Sequence, residues 1–232
     1  MTPGNGTALH PRPHGHFVQF YKADEPMLNR NVGQFLWEGF LRGHGLVVVA
    51  ARRRWECLCR HLGRNGMDVD LALAEERLAF HDAHEMLALF MVDGQPVWER
   101  FRSAMSKVLT PVPLGGAAAG KSVYGEMVGI LWEAGQLDAA IRLEDYWNTL
   151  LLEGGMTLFC GYPIDVFDAQ FHTPEARAVV CSHTSLVPTG PNGDVDGSLR
   201  QAMEEVLGPK AAELRLAMEA SLAGEAGSMP PA

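Results

Sequence analysis

The chain has 232 residues, 47% of them hydrophobic and 20% charged, a composition that suits one large globular domain with or without a short appendage. Its formal net charge of −9 at pH 7 argues against a nucleic-acid-binding surface, which would need a basic face. The sequence has no apolar run near the ~20 residues of a membrane helix and no apolar signal segment, so we expect a cytoplasmic protein without a membrane partner.

The first predicted elements are a leader, a strand and a helix. Residues 1–15 are rich in Gly, Pro and His and are expected to form a flexible leader. The segment HFVQFY (16–21) is aromatic and β-rich, which predicts a strand. Asp24 is placed to cap the helix that follows, with Pro26 in its first turn. The core face of that helix would carry apolar residues at helical spacing: Val32, Phe35, Leu36 and Phe40.

The middle of the chain alternates strands and helices. GLVVVAA (45–51) is uniformly apolar, which predicts a strand buried on both faces of a parallel sheet. A helix is predicted over 52–66, ending at Asn65-Gly66, and LAFHDA (78–83) predicts a third strand. Two further helices are predicted over 84–91 and 96–109.

The second half continues this alternation. VYGEM (123–127) predicts a strand, residues 128–153 a helical region interrupted near Gly135, and 155–163 and 178–187 two more strands. Because parallel neighbours need crossover connections, the order predicts an α/β fold with a three-layer, mainly parallel sheet flanked by helices.

A Gly/Pro/Asn/Asp linker (188–197) precedes an amphipathic helical tail. One stripe of the tail is apolar, with Leu199, Met203, Val206 and Leu207. This stripe predicts either packing on the body of the same subunit or a dimerising or signal-carrying helix, and we favour a homodimer.

GGAAAGKS (115–122) matches the phosphate-loop pattern at every fixed position. A working loop needs a buried strand before it and a helix after it. Pro111 and Pro113 disfavour that strand, and the residues after Ser122 favour extended structure. We interpret the stretch as a surface loop leading into a strand. The alternative is a nucleotide-binding regulator that uses Lys121, Ser122 and Glu126.

Several segments together resemble the MEDS domain, the methanogen/methylotroph DcmR-like sensory domain, from about His16 to Pro188. The segments are HFVQFY, FMVDGQPVWERF (90–101), VYGEMVGILWEAG (123–135), AAIRLEDYWNTL (139–150) and LFCGYPIDVF (158–167). The resemblance implies a RecA/KaiC-like α/β fold without a functional phosphate loop, and a role in sensing small molecules, proposed to include hydrocarbon derivatives. It divides the chain into a leader (1–15), a sensory domain (16–188) and a linker with helical tail (189–232).

The candidate ligand site lies beyond the carboxyl ends of the strands, where open parallel sheets bind ligands. The residues predicted at those ends are Tyr21, Asp82, Glu126, Tyr162 and His183. Neighbours that add aromatic and amide groups are His16, Gln19, Tyr124, Trp132, Trp147 and Asn148. Aromatic walls with a few polar groups suit a small, mostly apolar ligand. Trp132 and Trp147 have packing as their alternative role, and Glu126 an ion pair or a helix N-terminus.

Histidines and cysteines provide weaker signals. His81 and His84 could share a helix face, but the sequence establishes no second ligand pair, so we predict no metal and leave any cofactor open. Cys181 and His183 alternate on the last predicted strand and, with Cys160, could form a thiol–imidazole site. Buried cysteines are more often packing residues.

These observations predict a non-enzymatic, small-molecule sensory domain of prokaryotic signal transduction or transcriptional regulation. Its partners would be a small ligand and a signalling protein acting in trans. Two alternatives remain: the nucleotide-binding regulator, and a protein-interaction module acting through the C-terminal helix.

Overall fold

The computed structural model describes residues 15–21, 26–109, 120–164 and 173–187. The strands are β1 (His16–Phe20), β2 (Gly45–Ala50), β3 (Leu78–Asp82), β4 (Met91–Val92), β5 (Gln95–Pro96), β6 (Lys121–Gly125), β7 (Met156–Tyr162) and β8 (Ser185–Leu186). The helices are α1 (Pro26–Leu41), α2 (Arg52–Arg64), α3 (Val69–Ala74), α4 (Ala83–Phe90), α5 (Trp98–Val108), α6 (Met127–Glu133), α7 (Leu137–Leu152) and α8 (Pro174–Ser182).

Six strands form one sheet in the order β3-β2-β6-β7-β1-β8, with parallel pairing throughout. Strands β4 and β5 form a separate antiparallel hairpin around Asp93 and Gly94. The uniform burial of β1, β2 and β7 follows from helices on both sides of the sheet, as the apolar run in β2 predicted. The predicted three-layer α/β architecture is therefore confirmed.

The two faces of the sheet have separate hydrophobic cores. The first face packs against α1, α2 and α3, around residues such as Phe35, Val48 and Phe159. The second face packs against α4 to α8, around residues such as Phe101 and Trp147. Because side chains alternate along a strand, neighbouring residues of one strand contribute to different cores. This alternation decides how the predicted site residues are distributed.

One predicted strand is wrong. AVVCSHTSLV (178–187) was expected to be extended throughout, but α8 occupies Pro174–Ser182 and β8 is limited to Ser185–Leu186. The helix begins before the apolar run, and its N-cap is Thr173, whose hydroxyl accepts a hydrogen bond from the backbone N–H of Ala176. The N-cap and the following Pro174 therefore outweigh the β-branched residues that suggested a strand.

The strand around VYGEM is displaced from its prediction. Strand β6 begins at Lys121 and ends at Gly125, and α6 begins at Met127. The expectation of a surface loop through Ser122 is wrong at its end, because Ser122 is fully buried within β6. Helix α3 was not predicted, and Asp68 caps it by accepting from Leu71 N–H. The cap proposed for Asp24, residues 110–119 and the C-terminal tail lie outside the described residues.

Within the described ranges, each helix is too short or too polar to cross a lipid bilayer.

Candidate functional site

Most of the predicted site residues belong to or adjoin two polar groups on opposite faces of the sheet. We call one the edge cluster: Gln19, Tyr21, Arg54, Tyr124 and Glu126. We call the other the inner cluster: His16, Glu144, Cys160 and His183. The structure therefore does not bring all the predicted residues together, since the sheet itself lies between the two clusters.

An ion pair dominates the edge cluster. Glu126 follows β6, and its Oε1 accepts a hydrogen bond from Arg54 Nε at 2.8 Å. Its Oε2 accepts from the backbone N–H of Ala51 at 2.8 Å, which places a carboxylate at the N-terminus of α2. Arg54 also donates to Asn29 Oδ1 at 2.9 Å and to the Tyr21 hydroxyl at 3.4 Å. The pair is neutral and structurally engaged, so its own charges are already compensated.

Gly161 of β7 lies near this ion pair, and two side chains cover it closely. Gly161 pairs with Gln19 of β1, and a Cβ built on it would lie 3.2 Å from the Tyr124 hydroxyl and 3.3 Å from Leu28 Cδ2. Gln19 Oε1 accepts from Asn31 Nδ2 at 3.1 Å. Gln19 Nε2 and the Tyr124 hydroxyl are buried and lack a hydrogen-bond partner among the described residues. Two polar groups thus remain available at the carboxyl edge of the sheet.

The inner cluster joins residues from four parts of the fold, on the face of the sheet that α7 and α8 cover. His16 opens β1, Cys160 lies in β7, Glu144 in α7, and His183 follows the last residue of α8. Their exposed fractions are 1%, 0%, 0% and 4%, respectively. One potential ligand atom from each residue lies within 4.8 Å of the other three.

The contacts inside the inner cluster are short. His16 Nε2 lies 3.3 Å from Glu144 Oε2 and 3.4 Å from Cys160 Sγ. Cys160 Sγ is 3.9 Å from the same carboxylate oxygen. His183 Nε2 lies 3.4 Å from Glu144 Oε1, and the two imidazole ring centroids are 3.9 Å apart. The Glu144 carboxylate is therefore the centre of the cluster.

Groups around the inner cluster hold each side chain in place. Asn148 Oδ1 accepts from His16 Nδ1 at 3.0 Å, and Asn148 Nδ2 donates to Ser182 O. His183 Nδ1 is 2.6 Å from Val179 O. The Tyr162 hydroxyl donates to Glu144 Oε1 at 2.7 Å.

Burial and the charges inside the cluster shift the pKa values of these groups. Burial alone would raise the pKa of Glu144, but the neighbouring His183 and His16 outweigh it and lower that pKa. Burial, reinforced by Glu144, raises the pKa of Cys160 and of Tyr162 well above their ordinary values. Burial and the His16 ring lower the pKa of His183. The cluster therefore favours an ionised carboxylate beside a protonated phenol.

The remaining predicted residues lie outside both clusters or at their margins. Trp147 is fully buried and packs edge-to-face on Phe101, at a centroid distance of 5.2 Å. Trp132 packs edge-to-face on Tyr162 at 5.6 Å. Asp82 ends β3 and accepts from the backbone N–H of His84 and Glu85, so it is the N-cap of α4.

The proposed thiol–imidazole site is correct for one cysteine and wrong for the other. Cys160 and His183 do meet in the inner cluster. Cys181 is exposed on α8 and does not share a strand face with His183.

Sequence reasoning missed Glu144 and Arg54, although both carried a signal. Glu144 lies in an apolar helical stripe with Ala140, Leu143 and Trp147, where a charged residue needs a buried partner. Arg54 likewise shares a stripe with Leu58 and Leu62 of α2. A charge inside an apolar stripe could have indicated both.

The phosphate-loop pattern ends at the amino end of β6, whereas Glu126 follows the carboxyl end of the same strand. Lys121 and Ser122 open β6, and Ser122 Oγ hydrogen-bonds with His44 Nδ1 at 3.0 Å. A Cβ on Gly39 would collide with Ser122 Oγ, so α1 packs tightly over this hydroxyl. In the described part of the pattern, a strand rather than a helix follows Lys121.

The chain folds into a three-layer α/β domain with two polar clusters, and the family comparison assigns it to a class of sensory domains. The family model of MEDS, the MEthanogen/methylotroph, DcmR Sensory domain, matches residues 15–184. The chain belongs to the MEDS family of sensory domains. A comparison with curated proteins finds no match.

Proposed function

We propose that this domain senses a small, mostly apolar molecule with a hydrogen-bonding group, bound at the edge cluster above Gly161. The observation that carries the proposal is the pair of buried polar groups, Tyr124 hydroxyl and Gln19 Nε2, that lack partners among the described residues. A buried polar group without a partner costs about 1–3 kcal/mol. A ligand that supplies the missing partner recovers that free energy.

The surroundings of these two groups favour a small ligand. Leu28, Phe35 and Phe159 provide apolar walls on the same face of the sheet. A Cβ at Gly161 would already be in tight contact with the Tyr124 hydroxyl and with Leu28, so a ligand enters above Gly161 only when Leu28 moves aside. The neutral Arg54–Glu126 pair leaves no unmatched charge for an ionic ligand. One-carbon and short-chain hydrocarbon derivatives, such as alcohols, aldehydes and halides, meet these conditions.

Binding here would be transmitted through α1. Asn31 of α1 already holds the Gln19 amide, and Leu28 of the same helix covers Gly161. A ligand that pairs with Gln19 and displaces Leu28 would therefore bind with different free energies to two positions of the α1 N-terminus. A sensor requires such a difference in binding free energy between two states. The proposal assigns binding without a chemical step, and a signalling partner in trans would read the change.

The direct test is a thermal-shift screen of one-carbon and short-chain compounds on the full chain. A ligand of the folded state raises the melting temperature in a concentration-dependent manner. We expect the shift of the best compound to be strongly reduced in Tyr124→Phe and Gln19→Leu. Tyr146→Phe is the matched control, because the Tyr146 hydroxyl bonds Pro96 O outside both clusters.

Two results would contradict the proposal. One is a panel in which no compound stabilises the wild-type chain. The other is a compound whose full shift persists in both Tyr124→Phe and Gln19→Leu.

A further inference from the structure

The inner cluster presents an excess of electron pairs toward one point. Val179 O can only accept a hydrogen bond, so His183 Nδ1 carries the proton that makes the 2.6 Å contact. Asn148 Nδ2 donates to Ser182 O, which orients Asn148 Oδ1 toward His16 and makes His16 Nδ1 the donor. In the neutral rings, both Nε2 atoms therefore carry lone pairs and face the Glu144 carboxylate.

This arrangement is unfavourable without a positive charge at its centre. His183 Nε2 lies 3.4 Å from Glu144 Oε1 but makes no hydrogen bond among the described residues. Protonating His16 alone would pair it with Glu144 but would leave His183 Nε2 without a donor. Protonating both rings would place two imidazolium ions, with centroids 3.9 Å apart, against one carboxylate in the interior. Unpaired charge in the interior is strongly disfavoured. A cation shared by the four side chains removes both problems.

We propose that His16 Nε2, Glu144 Oε2, Cys160 Sγ and His183 Nε2 bind a divalent transition-metal ion, with zinc as the expected metal. The inference stands on the inner cluster alone and does not rest on ligand sensing at the edge cluster.

The distances among three of the four ligand atoms are close to the edges of a tetrahedral zinc site. Zinc bonds of about 2.0–2.3 Å to N, O and S give ligand–ligand edges of roughly 3.3–3.8 Å. The three edges that join His16 Nε2, Glu144 Oε2 and Cys160 Sγ are 3.3, 3.4 and 3.9 Å. The fourth ligand atom, on His183, lies within 4.8 Å of each of them.

The charges and ligand types also select this class of metal. A thiolate and a carboxylate balance a divalent cation, and two neutral imidazoles complete a buried site without net charge. The metal itself deprotonates a coordinating thiol. Imidazole and thiolate ligands favour zinc over magnesium or calcium, which prefer oxygen. Four protein ligands fill a tetrahedron, which is typical of a structural rather than a catalytic zinc site.

The surrounding hydrogen bonds are those of an outer ligand shell. Histidine ligands of metals usually donate their second N–H to an oxygen acceptor, as His16 does to Asn148 and His183 to Val179 O. The Tyr162 hydroxyl holds Glu144 Oε1, which leaves Oε2 to the metal.

The test uses the full chain, purified and depleted of metal, then titrated with zinc and with cobalt(II) as a spectroscopic probe. We expect one zinc per chain by elemental analysis. The cobalt complex should show the intense visible bands of a tetrahedral site and a thiolate-to-cobalt charge-transfer band. Cys160→Ser should abolish the charge-transfer band, and His183→Gln should weaken zinc affinity by at least the ~10–100-fold that the loss of an outer-shell partner costs.

Two controls address other ligands in the chain. Cys181→Ser changes an exposed cysteine on α8, and His10→Gln/His14→Gln changes histidines outside the described residues; both variants should retain the full cobalt spectrum. Should Cys160→Ser fail to fold, X-ray absorption at the zinc edge of the wild-type chain should show one sulfur among four ligands.

The proposal is overturned if the wild-type chain shows no cobalt charge-transfer band. It is also overturned if the band survives in folded Cys160→Ser, or if zinc in the wild-type chain has no sulfur ligand.

Discussion

The edge cluster and the inner cluster lie on opposite faces of one sheet and balance their charges in different ways. At the edge, Arg54 and Glu126 neutralise each other, and the groups left over are a neutral hydroxyl and a neutral amide. In the interior, one carboxylate faces two imidazole nitrogens and a thiol. The first arrangement suits a neutral ligand, while the second suits a cation. Buried polar residues of the same general kind thus indicate different partners once their pairing is known.

The largest effect is expected from breaking the edge ion pair. Arg54→Met leaves Glu126 as an uncompensated buried charge, which typically costs about 3–5 kcal/mol. Arg54→Met/Glu126→Gln removes both charges, so it should be less destabilising than the sum of the two single variants. Urea unfolding of the four proteins measures this coupling. Additive effects within about 0.5 kcal/mol would show that the pair does not act as a unit.

A smaller effect is expected at the inner cluster. Tyr162→Phe removes the hydroxyl that orients Glu144. If zinc binds there, affinity should fall by about 10-fold, the lower bound for an outer-shell partner. Competition with a chromophoric chelator provides the measurement, and Tyr146→Phe again serves as the control. Unchanged zinc affinity in Tyr162→Phe would show that the Tyr162 hydroxyl does not position Glu144 for metal binding.

A tyrosine-to-phenylalanine substitution in the edge cluster should not destabilise the ligand-free protein. Tyr124→Phe deletes a buried hydroxyl without a partner among the described residues, so the ligand-free protein should be unchanged or more stable by up to about 1 kcal/mol. Chemical denaturation of the ligand-free chain tests this expectation. A loss of more than about 1 kcal/mol would show that the hydroxyl is already satisfied in the free protein.

The smallest effect is expected at His61, a histidine outside both clusters, and concerns the dependence of stability on pH. Burial, followed by Arg30 and Arg64, lowers the pKa of His61 in the folded state. Below about pH 6.5 the unfolded chain therefore binds more protons at His61 than the folded chain does. The contribution of neutral His61 to the free energy of unfolding is fully present above the unfolded pKa of about 6.5. It is lost as the pH falls from there toward the lower folded-state pKa. His61→Gln should flatten the stability profile in that window, and unfolding measured from pH 7.5 to 5 provides the comparison. An unchanged slope would contradict the shift.

Local patterns were sufficient for most of the fold. The uniformly apolar GLVVVA of β2 requires burial on both faces, and the alternation of strands with helices requires crossovers, so the three-layer parallel architecture followed from the sequence. The MEDS segments, such as VYGEMVGILWEAG, identified the family. Local patterns failed at α8, where Thr173 and Pro174 initiate a helix ahead of an apolar run that resembles a strand.

The tertiary structure decided which polar residues meet. The sequence indicated His16, Tyr162, Asn148 and His183 as site residues and linked Cys160 to His183, but it placed them together with Tyr124 and Glu126. Alternation along β1 sends His16 and Gln19 to opposite faces, and the packing of α7 brings Glu144 under β1 and β7. Composition and periodicity report local burial, whereas a site depends on the strand order and register that join distant residues. That is why the sequence by itself determined the class and family of this protein, and the folded chain alone separated its two polar clusters.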